Sequence, residues 1–248
     1  MNITAPEETF IWFVFYSVIG WVYESFICSI GARRFVNRGF LNGPYCPIYG
    51  FGAVFDLMLL GKIENPFLLF FLGAIVACTL EYVTSYGMEK IFHARWWDYS
   101  KLKFNINGRI CLLGAVVFGV FSVVLIRWIH PFVSGYVGLL PSVAWHGIFA
   151  ILLIVIIIDC IVTIGGFAGF NQKLKELSEL LEPIKSGALD KIRNSQTFNS
   201  THEFLSQKLS YQQKRMITVF PKLKSIKYND SLTELKKMVF SRKNHEKK

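Results

Sequence analysis

Between residues 10 and 170 the chain passes through one apolar run after another, rich in Phe, Leu, Ile and Val and seldom broken by charge. No water-soluble core of this size absorbs so many contiguous apolar side chains, so these runs belong in a lipid bilayer. Five spans follow, roughly Phe10–Gly31, Pro44–Gly61, Pro66–Lys90, Gly108–Trp128 and Val143–Phe170. At about 1.5 Å per residue each crosses most or all of a hydrocarbon core of about 30 Å, the second being short and the fifth long. The uncharged stretch His130–Ser142 holds Pro131, Gly135, Gly138 and Pro141, and is expected to be a loop or a re-entrant piece. The first run is preceded by Glu7 and Glu8 instead of a basic segment, which predicts a retained span and not a cleaved leader.

The fold class is therefore all-α: a polytopic bundle of about five spans over residues 1–170, followed by a basic helical tail over residues 171–248. The tail carries 17 Lys plus Arg against 8 Asp plus Glu, so most of the net charge of +10 resides there. Basic residues also gather in the first loop (Arg33, Arg34, Arg38) and the third (Lys90, Arg95, Lys101, Lys103, Arg109), while the second and fourth carry only Lys62 and Arg127. The positive-inside rule then places the odd loops and the C-terminus in the cytosol and the N-terminus outside. A basic tail beside a membrane points to anionic lipid as partner, not nucleic acid.

Three tail helices are expected. The first runs over Asn171–Leu181 and ends at Pro183. The second opens at Ser200-Thr201-His202-Glu203, a capping-box pattern, and stops before Pro221. The third is capped by Asp230-Ser231. Their leucine stripes read as packing faces, against each other or a partner, with an interfacial helix on the bilayer as the alternative.

Charge inside the spans marks the candidate chemistry. Glu24, Glu81 and Asp159 lie at matched depth, roughly 21–24 Å from the outer end of their spans. Acids so deep face a bundle interior or a wet cavity. Glu81, Ser85 and Glu89 recur every fourth residue and form one polar stripe, so these five residues are the candidate polar pathway. The run Asn37–Gly50 holds two prolines and three glycines, which predicts an irregular lead-in to the second span. Backbone of that kind is tolerated at membrane depth only where protein buries it or it lines a cavity. Arg38 and Tyr49 in this run, with Arg95, Asp98 and Arg109 of the third loop, form a candidate anion site on the cytosolic side.

Other chemistry is absent from the sequence. No G-x-x-x-x-G-K-[ST], H-E-x-x-H or G-x-S-x-G occurs, and the five cysteines form no CxxC. No cofactor or metal is expected, and the cysteines read as small packing residues.

Taken together, Gly20-Trp21 with Glu24, the run Asn37–Gly50, Glu81 with Ser85 and Glu89, Arg95–Ser100 and Phe104–Leu112 resemble the CmpB-type, type IV ABC-transporter permeases of bacterial membranes. The tail from Phe220-Pro221 to Leu235 is similar as well. The resemblance implies a transport subunit of the bacterial cell membrane that depends on a separate ATPase. Membrane lipids and a second copy of the chain are the other expected partners. Two other readings stay open at this point: an inner-leaflet enzyme or lipid- and anion-binding protein, and an assembly or regulatory protein acting through its tail.

Overall fold

The computed structural model describes residues 5–137, 142–185 and 207–245. Helix α1 spans Ala5–Ala32, α2 Pro47–Leu60, α3 Pro66–Phe92 and α4 Leu112–Val124. A π-helical turn, Leu125–Ile129, joins α4 to α5, His130–Val137. Then come α6, Ser142–Phe167, and α7, Phe170–Lys185. The tail adds α8, Tyr211–Val219, and α9, Asn229–His245. Strands of two residues each, β1 (Ala94–Arg95), β2 (Asn105–Ile106), β3 (Ile110–Cys111) and β4 (Lys224–Ser225), form two antiparallel pairs, β1 with β4 and β2 with β3.

Among the described residues four helical stretches are long and apolar enough to cross a bilayer: Pro6–Ala32, Pro66–Phe92, Leu112–Gly135 and Ala144–Glu182. The chain is an all-α, multi-pass membrane protein. The second expected span is the exception in length. Its helix begins at Pro47 and not at Pro44, and its 14 residues cover only about 21 Å. Cys46 is extended (φ −115°, ψ 96°), as the residue before a proline prefers, and this delays the helix.

The stretch expected as a loop from His130 is helical as far as Val137, with residues 138–141 outside the described set. Pro131 lacks a backbone donor, and the widened π turn just before it absorbs that loss without ending the rod. Similarly, α7 continues through Pro183 to Lys185. The cap expected at Ser200–Glu203 lies outside the described residues. The helix expected to run from it to Pro221 is not continuous, because the chain breaks at Lys208–Ser210. There Ser210 caps α8 with a reciprocal box: its hydroxyl accepts from Gln213 N at 3.2 Å and its own N–H donates to Gln213 Oε1 at 3.1 Å.

The chain divides into two compact units. The first holds Met1–Thr84 and Tyr99–Ile161. In it α1 and α2 approach so closely that a Cβ on Gly20 would sit 2.2 Å from Tyr49 Cγ, and one on Gly50 would sit 2.2 Å from Ser17 Oγ. Reciprocal glycines are how helices gain contact where lipid supplies no hydrophobic drive.

The second unit holds Ser85–Asp98 and Val162–Lys248. Here the tail packs onto the chain's own third loop. Trp96 stacks on Phe220 with ring centroids 5.8 Å apart and meets Phe167 edge-on at 5.0 Å. Leu177, Met216, Leu223, Leu232 and Leu235 are fully buried around this centre. Each such side chain contributes roughly 1.5–3 kcal/mol relative to exposure.

Candidate functional site

The lead-in to α2 is irregular backbone held by side chains. Asp159 on α6 accepts four hydrogen bonds from it: Asn42 N at 3.0 Å, Asn42 Nδ2 at 2.8 Å, Gly43 N at 2.7 Å and Tyr45 Oη at 2.6 Å. Asn37 is fixed in turn, accepting from Trp21 Nε1 at 2.7 Å and donating to the Asn42 carbonyl at 3.0 Å. Ser25 and Ser29 of α1 accept from the backbone N–H groups of Arg38 and Val36 at 3.1 and 2.9 Å. Thus α1 and α6 supply the polar partners that a loop at this position lacks, which is what backbone outside a helix requires in a bilayer.

This scaffold aims Arg38 at α1, where its Nε lies 3.8 Å from Glu24 Oε2. The Tyr49 hydroxyl donates to Glu24 Oε1 at 2.7 Å. Arg38 and Tyr49, grouped in the sequence as anion ligands, therefore meet a protein carboxylate. Glu81 is nearly buried, at 6% exposure, and accepts from the Tyr99 hydroxyl at 3.0 Å, while its Oε2 has no hydrogen-bond partner among the described residues. Burial raises the Tyr99 phenol above its ordinary range, the adjacent Glu81 carboxylate raises it further, and Glu24 adds to the same effect. Glu24 and Glu81 thus act on one phenol, whereas Asp159 is engaged with residues 42–45.

Arg109 reaches the same unit from the β2–β3 hairpin. Asn107 and Gly108 both have positive φ (54° and 66°), and Arg109 N donates to the Ile106 carbonyl at 3.0 Å, forming the primed turn that Asn-Gly favours. The hairpin leaves Arg109 buried, with its guanidinium 5.6 Å from the Tyr82 ring centroid. Asn107 Nδ2 donates to the Tyr82 hydroxyl at 3.0 Å.

In the second unit Ser85 is buried, and Arg95 Nε donates to Glu89 Oε2 at 3.0 Å. Asp98 pairs with Lys224 of the tail. Here too an arginine proposed for anions faces a carboxylate. Among the described residues no three His, Cys, Asp or Glu side chains are grouped to hold a metal ion.

Asn37, Asn42, Tyr45 and Tyr99 lie in the runs that the sequence marks, but their role escaped the sequence reading: they hold the site together, and a polar residue in a loop carries no local sign of its distant partner. Asp56 was detectable. It interrupts the apolar helix α2, the same sign that singled out Glu24, Glu81 and Asp159, and it is 5% exposed with Ser122 of α4 as its side-chain partner.

A family profile described as "Putative ABC-transporter type IV" matches residues 11–164, which include every candidate site residue named above. No curated protein and no solved structure matches the chain. With the family profile covering more than half of a multi-pass helical chain, the protein belongs to the type IV ABC-transporter family, a membrane-transport-related family.

Proposed function

We propose that the protein is the membrane-spanning subunit of a transporter, that it has no ATPase of its own, and that it works with a separate ATPase chain. The observation that carries this reading is the charged network inside the first unit, where Glu24, Arg38 and Tyr49 meet and Glu81 and Tyr99 carry a further acid. Maintaining charge at membrane depth is costly, and such groups mark substrate or ion paths. In this reading Glu24, Glu81 and Asp159 form the polar path of the first unit, with Arg38 as counter-charge to Glu24. In the second unit Ser85 and Glu89 are the polar residues of α3, with Arg95 as counter-charge to Glu89. The basic loops and tail face the bacterial cytosol and the N-terminus faces outward, in keeping with the charge asymmetry of the loops.

Purification from native membranes in lipid discs tests this. An ATPase is expected to co-elute at fixed stoichiometry, and ATP hydrolysis by the complex is expected to fall in Glu24→Gln and Arg38→Gln variants that still assemble. A chain that elutes alone from mild solubilisation in every lipid tested contradicts the reading.

A further inference from the structure

The carboxyls on the helices of the first unit differ sharply in their partners. Asp159 accepts four hydrogen bonds and Glu24 has Tyr49 and Arg38, while Asp56 has Ser122. Asp56 Oδ1 is buried with no hydrogen-bond partner among the described residues. We propose that Asp56 is a proton-binding site within the membrane, a carboxyl that takes up and releases a proton with Ser122 as its hydrogen-bond partner. This goes beyond the transport reading and does not depend on an ATPase.

Hydrogen-bond accounting supports a proton at this position. The Ser122 hydroxyl donates to the Phe118 carbonyl at 3.0 Å, so its single proton is committed and its oxygen remains as an acceptor. A carboxylic acid supplies the donor that this acceptor needs, and a carboxylate does not. Ser122 is itself buried, and Gly73 of α3 packs so tightly on it that a Cβ there would fall 2.3 Å from Ser122 Oγ, so the hydroxyl has little room to turn away.

Charged and titratable groups on the surrounding elements are engaged elsewhere. On α1, Glu8 accepts from Trp12 Nε1 at 3.4 Å and Tyr16 bonds His130 of α5 at 2.9 Å. Arg127 of the π turn donates to the Ile63 and Glu64 carbonyls. Glu81 of α3 holds Tyr99. Helix α4 carries no titratable side chain. A divalent cation needs about six oxygen ligands, far more than Asp56 and Ser122 supply, whereas a proton needs one. An unpaired carboxylate in this place loses its water shell without compensation, and protonation is the direct remedy.

The test uses the full chain in liposomes and dicyclohexylcarbodiimide, an apolar reagent that attacks protonated carboxyls. Mass spectrometry is expected to find the adduct on Asp56, with labelling that declines as pH is raised and is lost in Asp56→Asn. Infrared spectra are expected to show a protonated-carboxyl C=O band that vanishes in Asp56→Asn and shifts in Ser122→Ala. If Asp56→Asn fails to accumulate, the pH dependence of wild-type labelling decides. The proposal is overturned if Asp56 stays unmodified at every pH, if sodium and not pH governs its labelling, or if the C=O band survives in Asp56→Asn.

Discussion

Asp159 shows how much of the site rests on single side chains. Its two oxygens collect four donors from a segment that has no helix or sheet to satisfy it. Removing the carboxylate takes away the acceptor of Asn42 N, Gly43 N and Tyr45 Oη. Each hydrogen bond to a charged group is worth roughly 1.5–3 kcal/mol. Asp159→Ala is therefore expected to loosen residues 37–46 while leaving the long spans helical. Cys46 reports this directly: it is buried and its thiol donates to the Arg38 carbonyl at 3.2 Å. Maleimide labelling of the Cys46 peptide should rise strongly in Asp159→Ala and stay low in wild type. Equal labelling in both would mean that Asp159 does not hold the segment. Gly20 offers a second probe. The Cβ of Gly20→Ala would meet Tyr49 Cγ at 2.2 Å, so the ring must move and its hydroxyl must leave Glu24. Gly20→Ala and Tyr49→Phe are both expected to lower ATP hydrolysis by the complex, since each removes the Tyr49 hydroxyl from Glu24, and activity equal to wild type in Gly20→Ala would contradict that.

At the scale of elements, the spans were legible because a run of apolar residues specifies a membrane helix without reference to anything distant. Deep acids were legible for the same reason, as Glu24, Glu81 and Asp159 show. What the sequence hid depends on other parts of the chain. The pairing of Ala94 with Ser225 joins residues far apart in sequence, and no local pattern signals it. The helix through Pro131 survives only because a π turn precedes it, and proline alone argues for a break. The tail stripes read correctly as packing faces, but their partner, the Trp96 loop, could not be read from them. Phe220 is central to that packing, stacked on Trp96. Phe220→Ala is expected to cost about 3–5 kcal/mol and to make the tail susceptible to limited proteolysis. Lys236 adds a pH dependence. It donates to the Pro221 and Leu223 carbonyls, and burial, with a smaller push from Lys224, lowers its ammonium to about 8 from an ordinary 10.5. Between those values the unfolded tail binds more protons than the folded one, so its stability rises as pH rises through that window. The urea midpoint for loss of tail structure should increase from pH 8 to pH 10.5 in wild type and lose that increase in Lys236→Met.

For the whole molecule, the short α2 decides the topology. If α2 and its irregular lead-in together cross the bilayer, the first loop lies inside and the second outside. Cysteines placed at Arg34 and Lys62 should then be labelled from opposite faces of the membrane, and labelling from the same face would make α2 re-entrant. The central claim is that the charges of the first unit serve a polar path and are not sealed structural pairs. Substituted cysteines in a cysteine-free chain, kept in native membrane vesicles, test it most directly. Cysteine at Glu24 or Glu81 should react with a small hydrophilic thiol reagent. Cysteine at Val83, which is 60% exposed on the apolar surface of α3, should not. Failure of both Glu24→Cys and Glu81→Cys to react, in vesicles where a loop cysteine at Lys101 does, would contradict the account.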